Sequence, residues 1–169
     1  PKSFDVLLDV LGDCVAMHLI AQIEAGADAV QIFDSWASGL PADAFARWVV
    51  APTKRIVEKV RVVKPDAKVI GFPRATTLQG YEFYARETGV DGISVDTSAP
   101  QDWMADFDIP IQGNLDPLLL VSGGRVLDEA VDRLVDEMRG RPFIFNLGHG
   151  VLQETPPEHV AALVARLRK

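Results

Sequence analysis

Polar side chains follow the apolar, strand-like runs of this sequence at the points where those runs end. They comprise acids, amides, hydroxyls, an arginine and a histidine: Asp34, Ser35, Arg74, Asp96, Thr97, Ser98, Gln112, Asn114, Asp116, Asn146 and His149. In parallel α/β architectures the functional groups collect at the carboxyl ends of the strands, on one face of the sheet. The sequence therefore predicts a polar pocket for a small molecule rather than an apolar slot for a lipid.

Several of these residues also have a purely structural interpretation. Asp34, Asp96 and Asp116 could form turns or cap the following helix, as Asp after a strand often does. Arg74 could belong to a surface ion pair. His149 lies between two glycines, where the permissive backbone can aim a side chain into a cleft, so a functional role is favoured for it.

The other candidate side chains are predicted to be structural. His18 shares a helix face with apolar residues of the first helical segment, and His159 lies in the last one. A further group is expected to pack between helices and sheet: Cys14, Met17, Trp48, Phe83 and Tyr84.

Three common site chemistries lack their signatures here. A Ser-His-Asp hydrolase would use a G-x-S-x-G elbow, which the FDSWASG segment around Ser35 does not form. A zinc site would need three or four suitably spaced His or Cys ligands, whereas the strand ends supply His149 alone. No Walker-type or Rossmann-type phosphate loop is present. Nothing visible in the sequence therefore requires a metal or implies a nucleotide, and no residue of this chain is assigned a catalytic role.

Composition narrows the class of protein further. The 169 residues carry 17 basic and 24 acidic side chains, a formal net charge of -7, which argues against a nucleic-acid partner. A lone cysteine, Cys14, excludes an internal disulfide and fits a reducing compartment. We find no apolar run approaching about 20 residues and no signal-peptide pattern, so we expect a cytoplasmic protein with no membrane partner.

Helical and strand-like segments alternate along the chain. Helices are predicted over 3–25, 43–63, 78–88, 101–105, 125–139 and 157–169. The strand-like runs are ADAVQIFDS, KVIGFPR, DGISVDT, IPIQGNLDP and FIFNLGHG. Ser3 is placed to cap the first helix and Gly26 to end it.

This alternation predicts an α/β fold with a parallel sheet flanked by helices, in one domain over 1–169. Two architectures compete. A doubly wound sheet could be built from five strands, but its usual G-x-G-x-x-G fingerprint is absent. A (β/α)8 TIM-type barrel needs eight strands, so this chain would be the C-terminal part of one, with about five βα units. The chain also begins with Pro1 rather than Met, and we expect it to be part of a longer protein.

The strand-end segments resemble the motifs of the uroporphyrinogen decarboxylase family, in the same order. They are QIFDSWASGL, VIGFPRAT, GISVDTSAP, IQGNLDP and FIFNLGHGV, of which QGNLDP and NLGHG are the most specific. The resemblance implies a cytoplasmic homodimeric barrel of haem and porphyrin biosynthesis. Such an enzyme is a cofactor-free lyase that decarboxylates the four acetate side chains of uroporphyrinogen III to give coproporphyrinogen III.

The resemblance also implies substrate-binding residues. Ser35 matches the serine that hydrogen-bonds the substrate, His149 matches the histidine near a substrate carboxylate, and Phe33 matches an aromatic position beside the macrocycle. Arg74 stands where the family often has Lys, and it could pair with a substrate carboxylate. Asp96 matches a motif position without an assigned role, and Asn114 belongs to the QGNLDP motif.

Some family features have no match in this chain. The family's central aspartate, its carboxylate-binding arginines and its active-site tyrosine belong to a segment before the first helix. Ser38 and Ala75 stand where glycines are expected, and either would strain its loop if the position needs a positive φ. We therefore expect an incomplete fragment that is inactive by itself.

Two other hypotheses remain open. One is a cobalamin-linked methyltransferase of the same barrel type, although such enzymes hold zinc through His and Cys ligands that this chain lacks. The other is a porphyrinogen-binding remnant without catalysis.

Overall fold

A computed structural model describes residues 2–168 of the chain. Within that range five strands alternate with helices. The strands are β1 (Ala29–Asp34), β2 (Lys68–Pro73), β3 (Gly92–Ser94), β4 (Ile111–Leu115) and β5 (Phe143–Leu147). They form a sheet with the order β1-β2-β3-β4-β5. Strands that lie side by side in the order of the chain fit a partial TIM-type barrel, because in a doubly wound sheet the order of the strands reverses at a switch point.

The helices lie before, between and after these strands. They are α1 (Lys2–Glu24), α2 (Ala42–Phe45), α3 (Ala51–Val63), α4 (Leu78–Thr88), α5 (Gln101–Ala105), α6 (Pro117–Ser122), α7 (Gly124–Glu137) and α8 (Pro157–Leu167). The chain divides into two compact units, 1–93 and 94–169, which are described separately below.

In the first unit, β1 and β2 are parallel in the register Ala29↔Lys68 to Asp34↔Pro73, and β2 continues parallel to β3. The core lies under β2 and α4, where Val69, Tyr81 and Tyr84 are fully buried. Their burial confirms the structural interpretation of Tyr84, whose hydroxyl donates to Thr53 Oγ1 at 3.4 Å.

The predicted helix over 43–63 is divided by a π-helical turn at Ala46–Val50. Pro52 lies directly after that turn, in the first turn of α3. Because proline has no N–H and its ring collides with the carbonyl four residues earlier, a regular α-helix cannot pass through this position. The wider turn accommodates the proline without ending the helical segment.

Helix α1 packs beside α3 through a row of ion pairs. The pairs are Arg47–Asp5, Arg55–Asp9, Lys59–Asp13 and Lys64–Glu24. The helix begins at Lys2, so the predicted cap Ser3 lies inside it and that prediction is wrong, whereas Gly26 follows its end with φ +105° as expected.

Away from these ion pairs, α1 exposes apolar side chains. Val10 and Met17 are 55% and 70% exposed, and Cys14 is exposed, so the prediction that Met17 and Cys14 pack against the sheet is wrong. Helix α1 is long enough and apolar enough to cross a membrane, with a mean hydropathy of 1.7. The sequence analysis expected no such segment. Core helices of water-soluble proteins have the same length and composition.

In the second unit, β4 and β5 are parallel in the register Ile111↔Phe143 to Leu115↔Leu147. The Val95 N–H donates to the Gln112 carbonyl at 2.9 Å, so the segment after β3 runs beside β4. Helix α7 buries Leu127, Val131 and Leu134 at helical spacing.

One helix of the second unit was not predicted. Asp116 caps α6 through its side chain, which accepts from the Leu118 N–H at 2.9 Å, and Pro117 occupies the first turn. Helix α8 packs against the C-terminal end of α6, where the His159 Nδ1 lies 2.9 Å from the Leu120 carbonyl oxygen. The structural interpretation of His159 is therefore confirmed.

Candidate functional site

The six predicted substrate-binding residues all lie at the carboxyl ends of strands. Phe33, Ser35 and Arg74 belong to the first unit, at the ends of β1 and β2. Asp96, Asn114 and His149 belong to the second unit, at the ends of β3, β4 and β5. The strand ends thus lie where the sequence predicted them, and each group of residues is held by its own set of contacts.

In the first unit, Arg74 ties the end of β2 to the turn after β1. Its N–H donates to the Asp34 carbonyl at 2.9 Å, and its Nη1 donates to the Ser35 carbonyl at 3.4 Å. No carboxylate forms an ion pair with Arg74 in the part of the chain that the structure describes. The surface ion-pair interpretation is therefore not supported, and a guanidinium charge remains beside Ser35 for an anionic ligand.

The turn after β1 is fixed by Asp34. One carboxylate oxygen, Oδ1, accepts from the Trp36 N–H at 3.2 Å, which closes a turn around Ser35. Burial raises the pKa of the Asp34 carboxyl, and the Trp36 N–H partly opposes this rise. Asp34 therefore takes the turn-forming role that the sequence left as an alternative, and it orients its neighbours.

The side chains around Ser35 differ in their surroundings. Phe33 is 68% exposed and meets Phe72 edge to face, with ring centroids 6.0 Å apart. The Ser35 hydroxyl has no hydrogen-bond partner among residues 2–168, so it can donate to a ligand. This turn presents an aromatic ring, a hydroxyl and a guanidinium close together.

The turn after β2 contains a residue in a strained conformation. Ala75 has φ +60°, in the left-handed region where a Cβ is disfavoured. This confirms the expectation that a glycine would suit this position. Ser38, the other departure, is not among the positive-φ residues; the neighbouring Gly39 takes that conformation with φ +70°.

A cavity of about 470 Å³ lies behind the turn after β1. Its apolar lining includes Ala37, Leu40, Phe45, Ala75 and Phe83, and none of the six predicted residues lines it. The predicted binding groups therefore lie outside this cavity.

In the second unit, Asn114 acts on the segment after β3. Its side chain is buried, and Nδ2 donates to the carbonyls of Asp96 at 3.0 Å and Ala99 at 2.8 Å. Asp96 is also buried and accepts from the Ser98 N–H at 2.8 Å. Both amide protons of Asn114 are thus used in holding this loop, so the side chain positions the loop as well as lying at a strand end.

The loop that carries His149 packs directly on the same segment. A Cβ added to Gly148 would lie 2.5 Å from the Thr97 backbone nitrogen, a separation that real contacts do not show. The His149 ring is exposed and has no hydrogen-bond partner within residues 2–168. Glycine at 148 is therefore required for the loop that carries His149 to approach the backbone of Asp96 and Thr97 this closely.

No metal-binding arrangement is found in the described part of the chain. Residues 2–168 contain no group of three or more His, Cys, Asp or Glu side chains that could hold an ion. In the first unit the strand ends present an aromatic ring, a hydroxyl and a guanidinium, and in the second unit they present the His149 imidazole beside the loop that Asn114 holds.

Comparison with known proteins gives a consistent result. The family described as uroporphyrinogen decarboxylase (URO-D) matches residues 1–169. A protein named uroporphyrinogen decarboxylase from Rhodospirillum rubrum is 48% identical over 171 residues, with 99% of this chain and 49% of the relative aligned. Relatives of the same name from Maricaulis maris and Sinorhizobium fredii are 50% and 48% identical, again over 99% of this chain and 49% of their own length. The chain therefore spans about half the length of the curated relatives it matches.

Proposed function

This chain belongs to the uroporphyrinogen decarboxylase family, and we propose from that membership that it is the C-terminal half of such an enzyme. We call the complete enzyme the parent protein. In it, both units form part of one (β/α)8 barrel domain that decarboxylates uroporphyrinogen III to coproporphyrinogen III in the cytoplasm. The observation that carries the proposal is the 48% identity over essentially the whole chain to relatives of that name.

The geometry of the site supports a polyanionic substrate. The Arg74 guanidinium binds a substrate carboxylate, the Ser35 hydroxyl donates a hydrogen bond, and His149 lies near a second carboxylate. Phe33 lies against the macrocycle. Uncompensated donors of this kind suit carboxylates better than neutral groups, because charge-assisted hydrogen bonds are the stronger ones.

The reaction is one that the ring system can support without a cofactor. Protonation of a pyrrole carbon makes the ring an electron sink, and loss of carbon dioxide from the acetate returns the bonding electron pair to that ring. The resulting exocyclic methylene is then protonated to a methyl group, and the ring carbon releases the proton that it first received, so one proton is consumed for each carbon dioxide released. The protein must stabilise the cationic ring by placed charges and dipoles. The acid groups for these proton transfers are not assigned to this chain.

We further propose that the parent protein is a homodimer with no nucleic-acid or membrane partner. The acidic composition supports the absence of a nucleic-acid partner. The ion pairs that Asp5 and Asp9 of α1 form with Arg47 and Arg55 support a helix packed on protein rather than one in a membrane. The zinc-dependent methyltransferase hypothesis gains no support, because the strand ends lack its ligand set.

The test is decarboxylation of freshly reduced uroporphyrinogen by the parent protein, with products resolved by their number of carboxylates. We expect coproporphyrinogen from the parent and a loss of roughly 100-fold or more in rate on joint Ser35→Ala and His149→Ala substitution. Joint Ser38→Ala and His18→Ala substitution is the matched control, since it removes an exposed serine of the same loop and an exposed histidine of α1. Substrate binding without any product would favour the non-catalytic remnant instead.

A further inference from the structure

The most exposed large apolar side chain of the turn after β1 is Trp36. Its exposure is 84%, whereas the next side chain, Ala37, is 2% exposed and faces the interior. Phe33, two residues before Ser35, rests against Phe72, but Trp36 has no ring contact within residues 2–168. Two exposed aromatic side chains therefore lie in one short segment, Phe33 at 68% and Trp36 at 84%, and they offer apolar surface that a ligand can cover.

The backbone of Trp36 is nevertheless fixed. Its N–H is held by the Asp34 carboxylate at 3.2 Å, and the carbonyl of the preceding residue, Ser35, accepts from Arg74 at 3.4 Å. The backbone from which the indole projects is therefore anchored on both strands, at the position directly after Ser35. A turn of fixed backbone that carries an exposed aromatic side chain next to a serine with a free hydroxyl can present both to one ligand.

We propose that Trp36 is a further substrate-contacting residue, with the face of its indole against a pyrrole ring of the tetrapyrrole. The inference rests on the proposed function and extends it by one residue. Phe33 and Trp36 then flank Ser35 as two aromatic contacts to one flat ligand, and Arg74 supplies the charge for its carboxylates.

The indole is also suited to the charge that develops in the reaction. A ring protonated on carbon carries a positive charge, and tryptophan attracts a cation over its face more strongly than phenylalanine or tyrosine does. Leucine offers apolar area but no π face. Trp36 should therefore act partly in binding and partly on the cationic intermediate, and an aromatic replacement should retain what an aliphatic one loses.

The test compares Trp36→Phe with Trp36→Leu in the parent protein. For Trp36→Leu we expect kcat/KM for uroporphyrinogen to fall roughly tenfold, with kcat reduced as well as KM raised, and weaker binding of coproporphyrinogen under nitrogen. For Trp36→Phe we expect kcat/KM to fall by less than about threefold, which is half of the Trp36→Leu loss on a logarithmic scale. Both variants should unfold at the same urea concentration as the unsubstituted parent, and a clear loss of stability in Trp36→Leu would overturn the inference, because it would mean that the remaining half of the barrel covers the indole.

A control variant and the sedimentation coefficient separate the alternatives. Val62→Ala removes a side chain of similar exposure, 83%, from the end of α3 that leads to the start of β2, and should leave kcat/KM unchanged. An unchanged kcat/KM in Trp36→Leu would overturn the inference. So would a shift of either Trp36 variant towards monomer, which would mean that a second copy covers the indole. Absence of decarboxylation by the unsubstituted parent would instead overturn the proposed function.

Discussion

Asp34 combines a half-buried carboxyl with a turn that carries two proposed substrate contacts. Burial raises the pKa of this carboxyl in the folded protein above its ordinary value of 3.8. As the pH rises from that value, the unfolded chain loses the proton first, so the free energy of unfolding falls until the folded carboxyl has also ionised. The half-buried Asp34 carboxylate therefore lowers the free energy of unfolding at neutral pH.

Replacing this carboxyl should remove that pH dependence. In Asp34→Asn the amide oxygen can still accept from the Trp36 N–H, but nothing titrates. We expect the free energy of unfolding of the variant, relative to the unsubstituted chain, to rise as the pH increases above 3.8 and to level off once the folded carboxyl has ionised. Urea unfolding at a series of pH values measures this difference. Asp43→Asn, at an exposed position of α2, is the matched control, and the same rise there would contradict the assignment.

At the residue scale the sequence predicted where the candidates lie better than what each one does. Ser35, His149 and Arg74 were found because polar residues at strand ends stand out against apolar runs. The positioning role of Asn114 could not be read from sequence, since it depends on carbonyls 15 and 18 residues away. Trp36 was missed because a tryptophan next to a strand usually packs inward.

Among the loops, the turn after β2 contains a non-glycine residue, Ala75, in a left-handed backbone conformation. Ala75 at φ +60° should be relieved by glycine, and we expect Ala75→Gly to raise the free energy of unfolding by roughly 0.5–1 kcal/mol. Ser38→Gly is the matched control, because Ser38 has no positive φ and glycine there should lower stability by a few tenths of a kcal/mol. Urea unfolding measures the free energy of unfolding of both variants. Equal stabilisation by the two changes would rule out strain at Ala75 as the cause.

The loop after β5 provides a second test at this scale. In Gly148→Ala the new Cβ would meet the Thr97 backbone, which cannot move aside as a side chain can, so the His149 loop must shift. We expect kcat/KM of the parent protein to fall roughly tenfold or more.

Gly150→Ala is the control for that change. A Cβ at this position meets nothing within 4 Å, and activity should stay near that of the unsubstituted protein. Equal losses in the two variants would show that the loop tolerates no alanine, whatever its contacts.

Helix bounds were predicted correctly where the sequence has clear start and stop residues. The bounds of α4 were predicted because Thr77 caps it, accepting from the Gly80 N–H at 3.0 Å, and Gly89 ends it with φ +75°. Helix α6 was missed because its six residues follow a strand without a periodic pattern long enough to recognise. The π-helical turn before Pro52 was missed because it depends on how the chain accommodates one proline.

For the whole molecule, the sequence indicated a partial barrel because five βα units fall short of eight strands. It could not tell which face of α1 packs, since both sides of that helix are apolar and only one row of acids meets α3. In the parent protein we expect the outer face, with Val6, Val10 and Met17, to be covered by the remaining half of the barrel. The outer edge of β1 would be covered by the strand beside it.

The most direct test of this account is decarboxylation of reduced uroporphyrinogen by the folded 169-residue chain alone and by the parent protein. We predict no product from the chain alone and coproporphyrinogen once the other half is restored, because the described strand ends supply binding groups but no assigned catalytic acid. Coproporphyrinogen formed by the chain alone, and lost on joint Ser35→Ala and His149→Ala substitution, would contradict the account by showing that this chain holds a complete site.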